Sequence, residues 1–243
     1  MENNLQPYVL EETNDFAVVY KPPKMHCVPL KQKDGGTLLE WYASFSSPVC
    51  NLVHRLDYET RGLVLIAKNP NSYNFFKSLQ DRGEFVKEYC AICDDKAAVP
   101  AGFPPPAALN KNEPSPDKPV VIESFFRPFG PGRKQVRPVI EEGKKRREIA
   151  KDRGGYYRTE IICIKENIFT VRIKRGFRHQ IRCHLCWIGR PIQNDPLYHA
   201  SEEAPVSGEL ALCARALFFN DPSSGKPLEY RVLESFTLEK MPL

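Results

Sequence analysis

The sequence predicts an α+β fold in which a mixed, mostly antiparallel sheet is flanked by helices and long loops. Seven segments are rich in β-branched and aromatic residues, as strands are, but only three have helical patterns. The two kinds of segment do not alternate regularly, as they would in a doubly wound parallel fold. The chain has 243 residues, enough to bury a substantial core, and we expect residues 1–243 to form a single domain.

The predicted strands lie between turn-forming residues. They cover residues 16–20, 63–68, 85–93, 119–124, 158–164, 168–174 and 228–234. The second strand begins with an uninterrupted apolar run, which is typical of a strand buried on both faces. A loop that immediately precedes such a strand therefore stands on a rigid support.

Three helices are predicted, at residues 38–45, 70–80 and 178–188. Asn69 is a natural N-cap for the second helix, and Pro70 suits its first turn. The third helix carries Arg178 and Arg182, which are four residues apart and therefore share one face beside an apolar stripe.

Two irregular segments separate these elements. Residues 94–118 are rich in alanine and proline, and residues 127–155 combine proline and glycine with many basic residues. Neither segment has enough apolar residues to bury itself against a core. We therefore predict two long, mobile surface loops.

The eight cysteines include two CxxC pairs, Cys90 with Cys93 and Cys183 with Cys186. Strand positions three residues apart face opposite sides of a sheet, so the first pair cannot readily bind one ion. The second pair lacks two further ligands at a spacing typical of zinc sites. We expect reduced cysteines that fill apolar space, and no metal site.

The start of the chain, residues 1–13, has neither the basic residues nor the apolar run of a signal peptide, and no segment is long enough to span a membrane. We therefore expect a cytosolic protein without a membrane partner.

Residues 54–67 have the sequence HRLDYETRGLVLIA, in which a charged, turn-forming segment leads into the apolar strand. An enzyme can hold a reactive group in fixed geometry on such a loop. Asp57 is the candidate for that group.

This segment resembles the signature of the RluA family of RNA pseudouridine synthases, and three further motifs follow the family's order. The four motifs are YKPP at 20–23, HRLD at 54–57, KEYCA at 87–91, and GFRHQIRCHL at 176–185 followed by GRPI and DPLY. The resemblance covers roughly residues 15–235 and implies the family's fold. It also implies the isomerisation of uridine in RNA after the target base has been flipped out of its stack.

The resemblance assigns catalytic roles to Asp57, Tyr89 and Arg182. Asp57 is implied to act as a carboxylate that either attacks the nucleoside covalently or removes a ribose proton. Arg182 is implied to lie beside Asp57, where it favours the charged form. Tyr89 is implied to lie against the flipped base. Isomerisation adds and removes nothing, so we expect no cofactor and no metal.

The candidate RNA-binding residues lie within these motifs or shortly after one of them: Arg55, Arg61, Arg178, His179 and Gln180. His179 and Gln180 are either RNA contacts or supports for neighbouring residues. Arg61 replaces the family's usual serine and is either a phosphate contact or a tolerated surface change. The chain also has Phe177 and Arg178 in place of arginine and threonine, and Asn194 in place of glycine.

The net charge is +5, and the distribution of the basic residues is more informative than the total. One cluster includes residues 133, 134, 137, 144–147, 151 and 153, and a second includes 172, 174, 175, 178, 182 and 190. Each is either a phosphate-binding surface or a solvated face. Both alternatives stay open for the first cluster, which is a candidate flap that grips RNA; for the second we favour RNA.

The first predicted strand begins at residue 16, which leaves no room for a separate N-terminal RNA-binding module. We therefore expect the catalytic domain to do much of the RNA binding itself. The expected partner is ribosomal or transfer RNA, and the expected state is a monomer.

Two other functions compete with this one. A metal-dependent hydrolase would use His179, His184, Asp57 and Asp195, but the two histidines are five residues apart, not the four that place two ligands on one helix face. A catalytically inactive RNA-binding protein that retains the fold is suggested by the unusual residues Arg61 and Asn194.

Overall fold

The computed structural model describes residues 6–29, 36–46, 50–95, 99–105, 113–140, 156–199 and 208–232. The strands within these ranges are β1 (Tyr8–Glu12), β2 (Phe16–Lys21), β3 (Asn51–Leu52), β4 (Arg61–Ala67), β5 (Val86–Ile92), β6 (Val120–Phe129), β7 (Gln135–Val139), β8 (Tyr157–Lys165), β9 (Ile168–Ile173), β10 (Leu212–Asn220) and β11 (Pro227–Arg231). The helices are α1 (Leu38–Ala43), α2 (Pro70–Arg82) and α3 (Gln180–Trp187).

The chain divides into two compact units. Unit 1 comprises Met1–Tyr89 and Leu212–Leu243, and unit 2 comprises Cys90–Ala211. The expectation of a single domain stays a prediction. No helix in the described ranges combines the length and the apolar character needed to cross a membrane.

In unit 1, adjacent strands follow the order β1, β2, β4, β10, with β3 paired to β4 and β11 paired to β10. Strand β2 runs antiparallel to β4 along its whole length. Strand β10 runs parallel to β4, with Cys213 opposite Arg61 and Ala214 opposite Gly62. The combination confirms a mixed sheet with mainly antiparallel pairs.

The core of unit 1 is built around three phenylalanines. The ring centroids of Phe16, Phe76 and Phe219 lie 5.4–5.8 Å apart in edge-to-face pairs. Phe76 comes from α2, whose N-cap Asn69 accepts a hydrogen bond from Ser72 N at 2.8 Å. The helix therefore begins as the sequence predicts, and its buried face holds β4 from one side.

In unit 2, the order of adjacent strands is β9, β8, β6, β7, and all three pairs are antiparallel. Helix α3 contributes Cys183 and Cys186 to a buried cluster with Phe126, Tyr157 and Val136. Each of the eight cysteines of the chain is a thiol, and all but Cys163 are buried. This arrangement agrees with their predicted role as apolar fillers.

The prediction of a long loop at residues 127–155 is wrong for its first part. Strand β6 continues to Phe129, and after a tight turn the chain returns as β7, with Phe129 paired to Gln135. Gly130 and Gly132 have φ angles of 76° and 64°, so the glycines form a hairpin turn instead of a loop. Residues 141–155, including the basic run at 144–147, lie outside the described residues.

The other predicted loop, at residues 94–118, is only partly described, and residues 96–98 and 106–112 lie outside. In the described part, Phe103 packs against the buried cluster of unit 2. The indole of Trp187 donates hydrogen bonds to the carbonyl oxygens of Pro104 and Pro105 at 3.1 and 3.2 Å. This part of the segment is therefore packed against the unit, because aromatic contacts distant in sequence cover its backbone.

Gly62 brings β4 and β10 unusually close together. Its φ is 119°, and a Cβ atom at this position would lie 2.3 Å from the carbonyl oxygen of Ala214. Only glycine satisfies both conditions, because an L side chain would be strained and would overlap the neighbouring backbone.

We expect Gly62→Ala to lower the free energy of unfolding by roughly 2–5 kcal/mol, the sum of left-handed strain and overpacking. Gly225→Ala is the matched control, because Gly225 also has a positive φ, of 70°, but no atom lies within 4 Å of the point that a Cβ would occupy. The control should cost only about 1 kcal/mol. Urea denaturation of both variants measures the difference, and equal losses would show that β4 and β10 do not approach this closely.

Candidate active site

The predicted site residues fall into two groups. Asp57, Tyr89, Arg55 and Arg61 belong to unit 1, and Arg178, His179, Gln180 and Arg182 belong to unit 2. The implied pairing of Asp57 with Arg182 joins residues of different units and stays a prediction.

The backbone on both sides of Asp57 is held by buried side chains. Leu56 N donates a hydrogen bond to the thiol of Cys27 at 3.3 Å, and that thiol donates to Leu56 O at 3.4 Å. On the other side, the ammonium of Lys21 donates to Tyr58 O at 3.2 Å. Both neighbours of the candidate catalytic residue are thus fixed in place.

The ammonium of Lys21 makes two further bonds, to Pro22 O at 2.8 Å and Met25 O at 2.9 Å. The side chain is fully buried, and this burial lowers its pKa to about 8, despite the opposing negative charges of Asp57 and Glu59. Lys21 is therefore charged at neutral pH, with its three N–H groups donated to three carbonyl oxygens.

Tyr89 and Asp57 interact within unit 1. Tyr89 lies in β5 and is buried; burial, and then the negative charge of Asp57, raises the pKa of Tyr89 far above its ordinary value. The hydroxyl therefore stays protonated and can donate a hydrogen bond, but it does not supply a phenolate base. The adjacent Glu88 accepts hydrogen bonds from Arg215 and Arg231, both at 2.8 Å, and so fixes the strand that carries Tyr89.

The two residues before Leu56 differ in environment. His54 Nε2 accepts a hydrogen bond from Leu65 N at 3.2 Å, and its ring packs against Phe85. Burial, reinforced by Lys87 and Lys77, lowers the pKa of His54 well below its usual value, so the ring is neutral and supports the loop. Arg55, by contrast, is exposed.

Arg61 is not a surface residue. It is the first residue of β4 and only 4% exposed. The interpretation of Arg61 as a tolerated surface change is therefore wrong, because the structure buries its side chain at the start of β4. Sequence patterns gave no signal for that burial, since an arginine beside a charged turn is usually exposed.

In unit 2, Arg182 is held by a carboxylate whose role the sequence motifs do not reveal. Its Nε and Nη2 donate to Asp195 at 2.8 and 2.7 Å, and both side chains are almost fully buried. Asp195 also accepts hydrogen bonds from Leu197 N and Tyr198 N. A bidentate pair of this kind fixes the plane of the guanidinium.

The side chains of His179 and Gln180 are engaged within unit 2. Gln180 is buried; it accepts a hydrogen bond from Phe177 N and donates to Arg158 O and Thr159 Oγ1, each at 3.0 Å. His179 Nδ1 lies 3.3 Å from Tyr198 Oη. Of the two roles considered for Gln180, these contacts favour the supporting one.

Arg178 lies ahead of α3, which begins at Gln180, so the predicted start of this helix is wrong. His179 has a left-handed φ of 57°, which interrupts the helical backbone. Arg178 is exposed, and its Nη2 donates to Arg133 O at 2.7 Å and Gln135 O at 3.3 Å. Arg178 and Arg182 therefore do not share a helix face.

The structure gives no support to a metal-dependent hydrolase. Both ring nitrogens of His184 are engaged, with Ser124 Oγ at 2.9 Å and Thr159 Oγ1 at 2.8 Å, and burial lowers the pKa of His184 to about 3. Asp195 is occupied by Arg182. Within the described ranges, no three histidine, cysteine or carboxylate side chains are arranged to hold a metal ion.

Comparison with known proteins points to one family. Residues 15–187 match the family described as RNA pseudouridylate synthase. An uncharacterized protein of Caenorhabditis elegans is 30% identical over 210 residues, which cover 84% of this chain and 41% of that protein. An uncharacterized RNA pseudouridine synthase of Mycoplasma genitalium is 27% identical over 236 residues, which cover 93% and 66%.

A ribosomal large subunit pseudouridine synthase D of Buchnera aphidicola is 26% identical over 209 residues, which cover 82% of this chain and 56% of that protein. The chain thus spans between 41% and 66% of the length of these three relatives.

Two solved structures have the same fold. Human RNA pseudouridylate synthase domain containing 1 superposes with a TM-score of 0.64 at 18% identity, covering 95% of this chain and 84% of that one. Human RNA pseudouridylate synthase domain containing 4 gives 0.59 at 16%, covering 93% and 87%. These likenesses confirm the predicted fold class.

We expect Lys21→Met to loosen the loop around Asp57 without unfolding unit 1. The amide of Thr60, which donates to Asp57 O at 3.1 Å, is the reporter. Loss of one anchoring bond should lower its protection from hydrogen exchange about tenfold. Lys68→Met is the control, because Lys68 bonds instead to Glu12 and Thr13 O.

The wild-type loop should also respond to pH. Since burial lowers the pKa of Lys21 to about 8, the ammonium loses a proton above that pH, and the amine has two N–H groups for three carbonyl oxygens. The protection factor of Thr60, measured by NMR, should therefore fall between pH 7 and 9 in the wild type and stay low throughout in Lys21→Met. Equal protection in both proteins would contradict an anchoring role.

Proposed function

Because the chain belongs to the RNA pseudouridylate synthase family, we propose that it isomerises specific uridines in structured RNA to pseudouridine, with Asp57 as nucleophile or base. The reaction breaks the bond between ribose C1′ and base N1, turns the base, and joins C1′ to C5. The C5 proton is lost and N1 gains one, so the composition of the RNA does not change. This chemistry requires no redox cofactor, nucleotide or metal.

One observation carries the assignment of Asp57: the residues on either side of it are fixed by Cys27 and Lys21. A group that reacts with a flipped nucleoside must be held in a defined position, because small displacements reduce the rate strongly. The covalent route and the proton-removal route are both compatible with this geometry.

Tyr89 and Arg182 complete the proposed catalytic set. The protonated hydroxyl of Tyr89 is suited to donate a hydrogen bond to the flipped base, while its ring offers a stacking surface. The support for Arg182 is its fixed guanidinium, which Asp195 holds through Nε and Nη2. In the proposed mechanism, Arg182 keeps the carboxylate of Asp57 charged.

We propose ribosomal RNA as the first substrate to test, since several similar curated proteins, including the one from Buchnera aphidicola, are named ribosomal large subunit pseudouridine synthase D. Transfer RNA is the second. The exposed Arg55 is the candidate phosphate contact beside Asp57. The monomeric state and the cytosolic location stay predictions.

The alternative, an inactive RNA-binding protein, rests partly on Asn194. This residue has a left-handed φ of 58°, a conformation that asparagine tolerates better than most residues. Its side-chain amide donates to Glu209 O at 3.2 Å. Asn194 thus fills the role of a glycine in a turn and adds a bond, so it does not indicate a decayed active site.

We expect Asp57→Asn to reduce pseudouridine formation at least about a thousandfold while RNA affinity changes less than about twofold, because the amide keeps the shape but loses the charge. Glu59→Gln is the matched control on the same loop and should keep turnover within a few fold of the wild type. The measurement is a pseudouridine map of RNA from cells that lack the protein and are complemented with each variant.

Turnover by Asp57→Asn would refute the catalytic assignment. Identical maps with and without the wild-type protein would instead favour the RNA-binding alternative, and in that case RNA affinity measured on the purified protein would remain.

A further inference from the structure

Two basic segments of unit 2 meet at the β6–β7 hairpin. Residues 127–140 contain four arginine or lysine residues and no aspartate or glutamate, and residues 168–194 contain six and none. Arg178, from the second segment, donates hydrogen bonds to Arg133 O and Gln135 O in the first. We call Gly130–Lys134, the turn between β6 and β7, the hairpin tip.

The exposed guanidinium of Arg178 binds two backbone carbonyl oxygens. Its shorter bond, of 2.7 Å, ends on the carbonyl of Arg133. Arg133 has a left-handed φ of 53°, a conformation that is strained for a non-glycine residue. Such strain persists only where neighbouring contacts hold the backbone, and Arg178 supplies one of them.

The residues on either side of this contact are anchored as well. Phe177 stacks on Phe126 of β6, with ring centroids 5.0 Å apart and planes 7° from parallel. At the base of the hairpin, the buried Arg137 lies over the ring of Phe129 at 4.1 Å and over Phe103 at 4.3 Å. The tip therefore extends from a base held by aromatic contacts.

The side chains of Arg133 and Lys134 are exposed at the end of this arm. We propose that the hairpin tip contacts the phosphate backbone of the RNA, and that Arg178 is a positioning residue that forms the tip before RNA binds. A pre-formed arm loses less conformational freedom on binding than a mobile loop does. The resemblance leads us to expect arginine and threonine at the positions of Phe177 and Arg178. Positioning of the hairpin tip by Arg178 is therefore a feature of this chain's own residues. This inference rests on the proposed function for the identity of its ligand.

The tip is tested with the double variant Arg133→Ala/Lys134→Ala. Phosphate contacts depend little on sequence, so a structured transcript of large-subunit ribosomal RNA serves as the probe. We expect weaker binding, and a salt dependence of log Kd whose slope is smaller by about one to two. In turnover, KM should rise while kcat at saturating RNA stays within about twofold.

Lys165→Ala is the control for loss of a surface charge outside the hairpin tip. It removes one exposed charge at the β8–β9 turn. Lys165 is the last residue of β8, about 25 Å along the strand from its first residue, Tyr157, which pairs with Ser124 of β6. Affinity and slope should stay at wild-type values. An unchanged slope in the double variant, or an equal loss in the control, would overturn the RNA contact.

Arg178→Met separates positioning from direct contact. If Arg178 acts through the tip, its substitution should weaken binding in the wild-type background but add almost nothing to the double variant, whereas a direct phosphate contact would add its full effect. Trypsin should also cleave Arg178→Met faster after Arg133 and Lys134, and Arg178→Lys should restore part of the protection. Additive losses with unchanged cleavage would overturn the positioning role.

The outcomes also separate this inference from the proposed function. Loss of salt-dependent binding in the double variant, combined with absence of turnover by the wild type, would retain the RNA surface and reject the isomerase. Normal turnover by the wild type, together with an unaltered salt slope in the double variant, would retain the isomerase and reject the RNA contact of the hairpin tip.

Discussion

A buried ammonium is the constraint on which the candidate site depends. Taking the charge of Lys21 out of water is unfavourable unless its N–H groups find acceptors, and the chain supplies three backbone carbonyl oxygens. Two belong to the segment after β2, and the third belongs to Tyr58. The need to satisfy one cation therefore ties the end of β2 to the loop before β4, and with the Cys27 thiol it determines where Asp57 lies.

A parallel arrangement operates in unit 2, where the charge is on an arginine. Arg182 is enclosed by protein, and Asp195 compensates it with both carboxylate oxygens while binding two backbone N–H groups of the following turn. In both units a buried charge organises irregular backbone that secondary structure alone would leave undefined. The polar groups of these loops thus contribute to the folding of both units.

The sequence predicted the features that depend on residues close together in the chain. It did not predict the features that depend on contacts between residues far apart in the chain. The apolar run of β4 and the cap of α2 at Asn69 depend on neighbouring residues, and both were predictable. Strand β10 was missed because Ala214, Arg215 and Ala216 have little strand preference, and only its pairing with β4 reveals it. The candidate catalytic residues were indicated by motif resemblance. The contact of Cys27 with Leu56 beside Asp57, and that of Arg178 with Arg133 at the hairpin tip, could not be predicted, because each joins residues that are distant in sequence.

The close approach of Gly62 to Ala214 of β10 limits where the loop before β4 can lie. A slip of β4 by one residue would place the side chain of Arg61 or Leu63 against the backbone of Ala214, where no Cβ fits. The parallel ladder therefore disfavours a slip of one residue, which would move the chain about 3.3 Å and reverse its faces. Asp57 precedes this glycine by only five residues. By fixing the alignment of β4, Gly62 thus helps to fix the position of the Asp57 carboxylate relative to the sheet of unit 1.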